Sequence, residues 1–370
     1  MEEKYNWIAT AADVIATVAQ DPAPICKDKH SVTSSSLQTW LPCRRNDCRR
    51  RFSRGILPIY IYAHGAERTN DMNNILKVNL ALEERKDGIN EALETMNAGF
   101  SVSYKQVAKN NCIKEAFVMH SSNFNMLPTI YPDQEMMEQS DEVIARILRK
   151  MFLTYACNRD ITMIQDGSYI KENVFPKLVN GQNIPTFEEE GTVYIPYLNL
   201  AICFSIRVPE FCDGSEQATV KLSKELLETS GLTLCEVKDA AIQNMRNEGC
   251  VIKGLTEMIS EMMDIGEDNM GIGNDSPPMI ILTNPQKLYG AAEILLADTL
   301  RDIEKRIGSS SYVILPSSIH ELIITNIGDK THLEGLKAMV SEVNSSSVSI
   351  EDFLSNSIYI YQDGKISIME

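Results

Sequence analysis

The chain has 370 residues, 44% of them hydrophobic, and a formal net charge of -16. Such a composition suits a folded protein with a sizeable core, and the length favours two or three domains. The acidity excludes a general binder of nucleic-acid backbones, which needs Lys and Arg to neutralise phosphates. Nine cysteines are present: Cys26, Cys43, Cys48, Cys112, Cys157, Cys203, Cys212, Cys235 and Cys250. Their odd count and wide scatter suit a reducing cytoplasm better than a disulfide framework. Residues 7–18 are apolar, but they follow Glu2, Glu3 and Lys4 and are interrupted by Asp13, unlike an export signal. No run reaches the roughly 18 uncharged apolar residues of a membrane span. The expected location is the cytoplasm, with no membrane contact.

Residues 1–71 stand apart. They carry 10 Lys and Arg against 8 Asp and Glu, a net of +2, whereas the rest carries 25 against 43, a net of -18. A short helix over 5–19 and an edge strand over 56–62, limited by Pro58, are the elements their pattern allows. The abrupt change at Met72 reads as an atypical basic extension upstream of the natural start. A small basic domain is the rival reading. Cys26, His30, Cys43 and Cys48 supply three thiols and an imidazole, the donor types of a tetrahedral zinc site. Their spacing is loose, and Arg44, Arg45, Arg49, Arg50, Arg51 and Arg54 beside them read as a solvated basic tail. No cofactor is expected, zinc included.

From Met72 the pattern is regular and predicts an α+β protein of two α+β units, 72–187 and 188–370. The first opens with a helix over 74–96. Strands follow over 100–107 and 115–119, split by the polar residues Lys109, Asn110 and Asn111, then a short apolar run over 127–131. Residues 140–155 place Val143, Ile144, Ile147, Leu148, Met151 and Phe152 on one helical stripe, with Ser140, Asp141 and Glu142 as its start. An acidic loop, Glu188 to Gly191, opens the second unit. The run from Val193 to Val208 is long enough for two short strands or one bent at Pro196. Helices are predicted over 223–227, 233–247 and 255–263, the second with a Thr233–Glu236 capping box. A mobile linker over 264–278 matches neither a calcium loop nor a phosphate loop.

The closing third predicts strand 279–283, helix 288–307 ended by Gly308, strands 312–315 and 320–325, and helix 332–343. A hairpin of 358–361 with 365–368 turns at Asp363-Gly364. The β-α-β-β-α-β order is that of a split βαβ, ferredoxin-like layer of helices on an antiparallel sheet.

The candidate binding residues are Thr283, Asn284, Tyr289, Gly290, Ser317, Ser318, His320 and Glu321. The last four suggest a nucleophile, a base and an orienting carboxylate. On an extended backbone, however, Ser318 and His320 share one face and Glu321 the other, and no G-x-S-x-G elbow is present. The reading is therefore a polar corner suited to binding, with no catalytic residue assigned. Thr283, Asn284 and Gly290 lie where a strand end feeds a helix start, a potential anion site, although Asn284 reads better as a cap. His64, His120 and His332 show no sequence partner.

Several segments carry a family resemblance: Val107 to Asn111, Pro128 to Tyr131, Tyr197 to Arg207, Thr283-Asn284, Tyr289 to Ala292, Leu315 to Glu321, Glu342 to Asn344 and Leu354-Ser355. Over about residues 72–370 the chain resembles the domain-of-unknown-function family 5688 of gut Firmicutes. The resemblance implies an accessory protein, often near mobile elements or in phage–host interplay, and supplies no catalytic residues. The leading expectation is a non-enzymatic cytoplasmic interaction protein whose acidic surface suits a basic protein partner, with nucleic acid disfavoured. The alternative is a hydrolase or nucleotide-handling enzyme centred on Thr283, Asn284, Ser317, Ser318 and His320.

Overall fold

A computed structural model describes residues 72–211, 218–258 and 279–369, with the backbone alone for 72–82 and 211. The expectations for residues 1–71, including Cys26, His30, Cys43 and Cys48, lie outside the described residues, as does the linker 264–278. The described residues form two compact units. One contains residues 72–169 with 207–211 and 218–220; the other contains 170–206, 221–258 and 279–369.

In the first unit, α1 (Met72–Thr95) leads into the antiparallel hairpin β1 (Ser101–Lys109) and β2 (Cys112–His120). Lys109, Asn110 and Asn111 sit at its turn, where Asn111 adopts φ 61, a left-handed conformation that Asn tolerates. β3 (Thr129–Ile130) pairs with β2, and α2 (Gln134–Met137) precedes α3 (Asp141–Tyr155). The apolar stripe of α3 buries Ile144, Leu148 and Phe152 against Ile89 and Leu93 of α1 and Val102, Phe117 and Met119 of the sheet. Asn90 completes the free edge of β1. Its amide donates to the Val102 carbonyl at 2.9 Å and accepts from the Val102 N–H at 2.8 Å. Arg85 ties α1 to α3 through Asp141 at 2.6 Å and to α2 through the Met137 carbonyl at 2.7 Å. His120, alone in the sequence, meets the Ser103 hydroxyl at 2.6 Å.

After α4 (Gly167–Asn173), the second unit begins with β4 (Val174–Asn180), α5 (Ile184–Glu190), β5 (Tyr194–Tyr197) and β6 (Leu200–Arg207). The sequence put the boundary between units at 187/188. The packing divides after Tyr169, because β4 pairs along its length with β6. The acidic Glu188 to Gly191 segment is not a loop; its three glutamates end α5, and Gly191 caps it at φ 69. Pro196 does not bend a strand either. It lies on the edge strand β5, where no ladder N–H is needed, and the chain turns at Leu198 (φ 55) and Asn199.

β7 (Thr219–Lys221), α6 (Lys224–Ser230) and α7 (Leu234–Glu248) follow. The capping box of α7 is present: the Thr233 hydroxyl accepts from the Glu236 N–H at 3.3 Å, and the Glu236 carboxylate from the Thr233 N–H at 3.0 Å. After β8 (Val251–Gly254), residues 255–258 are helical. The remaining elements are β9 (Met279–Thr283), α8 (Ala297–Ile307), β10 (Ser311–Pro316), β11 (Leu322–Asn326), α9 (Lys330–Ser347), β12 (Tyr359–Gln362) and β13 (Lys365–Ile368).

These strands build one antiparallel sheet of order β13-β12-β10-β11-β9-β8. In this α+β arrangement β11 lies between β9 and β10. The sheet has six strands, and its helices do not form one layer. α9 packs Leu336, Met339, Val340 and Val343 on the face carrying Val313, Leu315 and Ile323. α8 lies against the other face, where the Tyr312 hydroxyl donates to the Leu300 carbonyl and that of Tyr361 to Glu304. Both faces being covered, successive residues of β10 and β11 are all buried from Tyr312 to Pro316 and from Leu322 to Thr325. The expected helix over 288–307 is interrupted. Residues Gly290–Leu295 form a 3-10 turn, Leu296 is extended, and α8 starts only at Ala297.

Candidate functional site

The eight candidate residues meet at one corner of the second unit, where the end of β9 approaches the turn between β10 and β11. β9 delivers Thr283 and Asn284, both buried. The Thr283 hydroxyl donates to the His320 carbonyl at 2.8 Å. Asn284 brackets the next turn: its side chain bonds the Leu288 N–H and carbonyl at 3.1 and 2.8 Å, and its carbonyl accepts from the Lys287 N–H. Within that turn Lys287 and Tyr289 adopt φ 54 and φ 60. Neither residue type prefers the left-handed region, so the surrounding bonds hold them there. Gly290 follows because nothing larger fits. A Cβ on it would lie 2.5 Å from the His320 carbonyl oxygen and 2.7 Å from the Asn284 nitrogen.

The turn between β10 and β11 is tighter than an extended strand. The Ser318 N–H donates to the Glu321 carbonyl, and Leu322 is the first residue of β11. Strand alternation therefore does not apply at 317–321, and the faces expected from it are not those the turn adopts. Ser317 and Glu321 face each other, hydroxyl to carboxyl, at 3.2 Å. Ser318 accepts from the backbone N–H of His320 at 3.0 Å. Burial pushes the Glu321 carboxyl up to about 8, against the pull of the Ser317 hydroxyl and the Lys287 ammonium. Near pH 7 it is largely a neutral acid.

His320 is the hub. Its Nδ1 accepts from the Tyr289 N–H at 3.2 Å, and its Nε2 lies 3.1 Å from Oδ1 of Asp352. An acceptor at Nδ1 must be bare, which places the proton on Nε2, donating to Asp352. Tyr289 stacks on the imidazole with ring centroids 5.5 Å apart, and the Lys177 ammonium of β4 sits 4.2 Å from the Tyr289 ring centre. Asp352 is held from three sides. It accepts from the Ser349 hydroxyl at 2.8 Å, bonds His320, and its carbonyl takes the Ile319 N–H at 2.8 Å. Burial pushes its carboxyl up, but the bonds from His320 and Ser349 and the charge of Lys177 hold it below the ordinary carboxylate range.

A polar seam extends from this corner. Asn180 donates to the Leu354 carbonyl at 2.9 Å, Asn199 to the Ser355 and Ser357 hydroxyls at 3.1 Å, and Asn344 to the Ser355 carbonyl at 3.0 Å. The loop 349–357 is thus fastened by side-chain amides. Beside Ser317, a gap lined by Leu315, Met339 and Val343 offers about 10 Å³, room for one water. Chemically, the serines do not meet an imidazole. The hydroxyl–carboxylate–imidazole series runs Ser349–Asp352–His320, with the carboxylate in the middle, whereas general-base activation needs the imidazole there. Among the described residues, no group of three His, Cys, Asp or Glu side chains is placed to hold a metal, and no helix is long and apolar enough to cross a membrane.

The model of a family of unknown function, DUF5688, matches residues 82–363. The chain belongs to this family. No curated protein matches it, and no solved structure does. The match to DUF5688 spans the whole corner, from Lys177 through Asp352. Sequence reasoning about this DUF5688 chain missed Lys177, Asp352 and Asn180, and placed Asn199 and Asn344 in its family segments without a role at the corner. Each reaches the corner or its seam from a distant position. Only the Ser349-to-Asp352 spacing, typical of a turn whose hydroxyl bonds the chain ahead, offered a local signal.

Proposed function

We propose that this protein is a non-catalytic interaction protein of the cytoplasm that binds a basic protein partner, in an accessory role near mobile elements. The observation that carries the non-catalytic reading is the double commitment of His320. One ring nitrogen accepts from the Tyr289 backbone, and the other donates to Asp352. A general base needs a nitrogen within reach of the group it deprotonates, and here both are used to fasten the fold. Ser317 and Ser318 are buried and bonded within the turn.

The partner's chemistry follows from charge. Glu188, Glu189 and Glu190 are exposed at the carboxyl end of α5, where the helix dipole disfavours anions by about 0.3–1 kcal/mol each. Tyr194 offsets this at Glu188 by a hydroxyl bond at 2.8 Å, and Lys221 at Glu190 by an ion pair at 2.6 Å. The three exposed glutamates, with the net charge of -16, support contact with a cationic surface. Capture with the full chain as bait tests the reading. A protein rich in Lys and Arg is expected to be retained at about 0.1 M salt and released by about 0.5 M, where screening shortens the reach of surface charge. Glu188→Lys with Glu189→Lys should abolish the capture. Copurification of a small molecule in place of a protein, or turnover of an ester or phosphoester that falls in Ser317→Ala, would overturn it.

A further inference from the structure

We propose that His320 is a proton-operated latch, whose protonation releases the Tyr289 turn while the bond to Asp352 persists. The geometry makes the two ring nitrogens unequal. Nε2 already carries hydrogen and faces a carboxylate, so a positive ring strengthens that contact. Nδ1 is bare only because the Tyr289 N–H points at it from 3.2 Å. A proton added there sets two donors against each other, and one must move.

Tyr289 is the part that yields. Its backbone is held at φ 60, a region costly for a residue with a Cβ, and the bond to Nδ1 satisfies its N–H. The preceding bracket from Asn284 ends at Leu288, so Tyr289 is the first residue secured by the imidazole. His320 by contrast is fastened through its backbone, its carbonyl taking the Thr283 hydroxyl and its N–H bonding Ser318. The Tyr289 ring carries the Lys177 ammonium on one side and stacks on the imidazole. Releasing it removes that platform and opens the start of the 3-10 turn Gly290–Leu295.

Charged groups reach the corner from each neighbouring element. The loop after α9 contributes Asp352, whose Oδ1 lies 3.1 Å from Nε2. β4 contributes Lys177, whose ammonium lies 4.2 Å from the centre of the Tyr289 ring. The turn after β9 contributes Lys287, and the β10–β11 turn contributes Glu321, adjacent in the chain and interacting with both Lys287 and Asp352. Lys177 and Lys287 thus bring positive charge to the corner and Asp352 and Glu321 bring carboxyls, with the Tyr289 N–H the contact that is lost.

Amide exchange of the full chain, corrected for the intrinsic pH dependence of exchange, tests the latch between about pH 8 and about pH 5, the range in which imidazoles change charge. Protection at the Tyr289 amide is expected to fall at least about tenfold on acidification, the loss of one hydrogen bond. Two variants separate the nitrogens. His320→Asn puts an acceptor near the Nδ1 position and should keep Tyr289 protected at both pH values. His320→Gln reaches Asp352 and should leave Tyr289 unprotected at both. Wild-type protection that does not change, or a His320→Asn variant that responds as wild type does, overturns the proposal. So does a simultaneous loss of protection at Ile324 in the centre of the sheet, which would mark global unfolding.

Discussion

His320 and Asp352 stand 32 positions apart and meet at 3.1 Å, Nε2 to Oδ1. The contact joins the β10–β11 turn to the loop that follows α9, and the Ile319 N–H to Asp352 carbonyl bond runs beside it. Replacing Asp352 by Ala leaves Nε2–H and the Ser349 hydroxyl without their acceptor. The expected loss is about 1 kcal/mol in urea unfolding near pH 7, reduced from a buried pair because the carboxylate is 43% exposed. The sign with pH is fixed by the depressed carboxyl. Its contribution is complete above the ordinary carboxylate value of about 4 and is lost as pH falls through the lower folded value. The difference between wild type and Asp352→Ala should therefore shrink in acid.

Gly290→Ala tests the close approach of three segments. The new methyl would meet two backbone atoms inside 2.8 Å, the His320 carbonyl oxygen at 2.5 Å and the Asn284 nitrogen at 2.7 Å. Backbone cannot swing aside as a side chain can. A loss of about 2–3 kcal/mol is expected in denaturant unfolding, and a neutral result would contradict the packing described.

Glu321 gives the opposite pH dependence to Asp352. Its folded carboxyl titrates at about 8, above the unfolded value of about 4.3. Between these the folded state binds more protons, so stability falls as pH rises through that window. Glu321→Gln cannot ionise. It should flatten the decline by on the order of 3 kcal/mol between about pH 5 and about pH 9, read as urea midpoints at the two ends.

Thr233→Ala removes the hydroxyl that caps α7 and should cost about 1 kcal/mol. The reciprocal partner, Glu236, is held down to about 2 by the Thr233 N–H, then by Lys171 at 2.9 Å and the Thr233 hydroxyl. The contribution of the Glu236 carboxylate itself, read as Glu236→Gln against wild type, should persist above about pH 4.3 and disappear as pH falls toward about 2. Thermal unfolding of wild type and both variants at pH 7 and in acid gives both numbers.

Much of the scaffold is legible locally. Asp363-Gly364 takes φ 50 and φ 80 between β12 and β13, as a two-residue hairpin demands. The Thr233–Glu236 spacing writes the capping box, and the α3 stripe selects the face that is buried. Coverage of the sheet on both faces was also present in the sequence: Tyr312 to Pro316 and Leu322 to Thr325 are continuous, with no polar alternation. Taking the element order as a two-layer pattern overlooked it. The corner is a different case. All eight candidate residues do converge, but their roles depend on partners such as Asp352 and Lys177, which no local period connects to His320. The break at Leu296 is equally hidden, since 288–307 has good helical composition and the contacts at its start, Tyr289 N–H to His320 and Ala291 N–H to the Ile319 carbonyl, come from distant residues.

The state of the His320 ring tests the account most directly. Long-range proton–nitrogen correlation spectra of the full chain, labelled with nitrogen-15 in histidine, identify which ring nitrogen carries hydrogen at about pH 7.5, where free imidazole is neutral. The account predicts a single tautomer with hydrogen on Nε2 and a bare Nδ1, unaltered by Ser317→Ala and Ser318→Ala. Hydrogen on Nδ1, or rapid exchange between tautomers, would mean a ring nitrogen free for proton transfer and would contradict the non-catalytic reading.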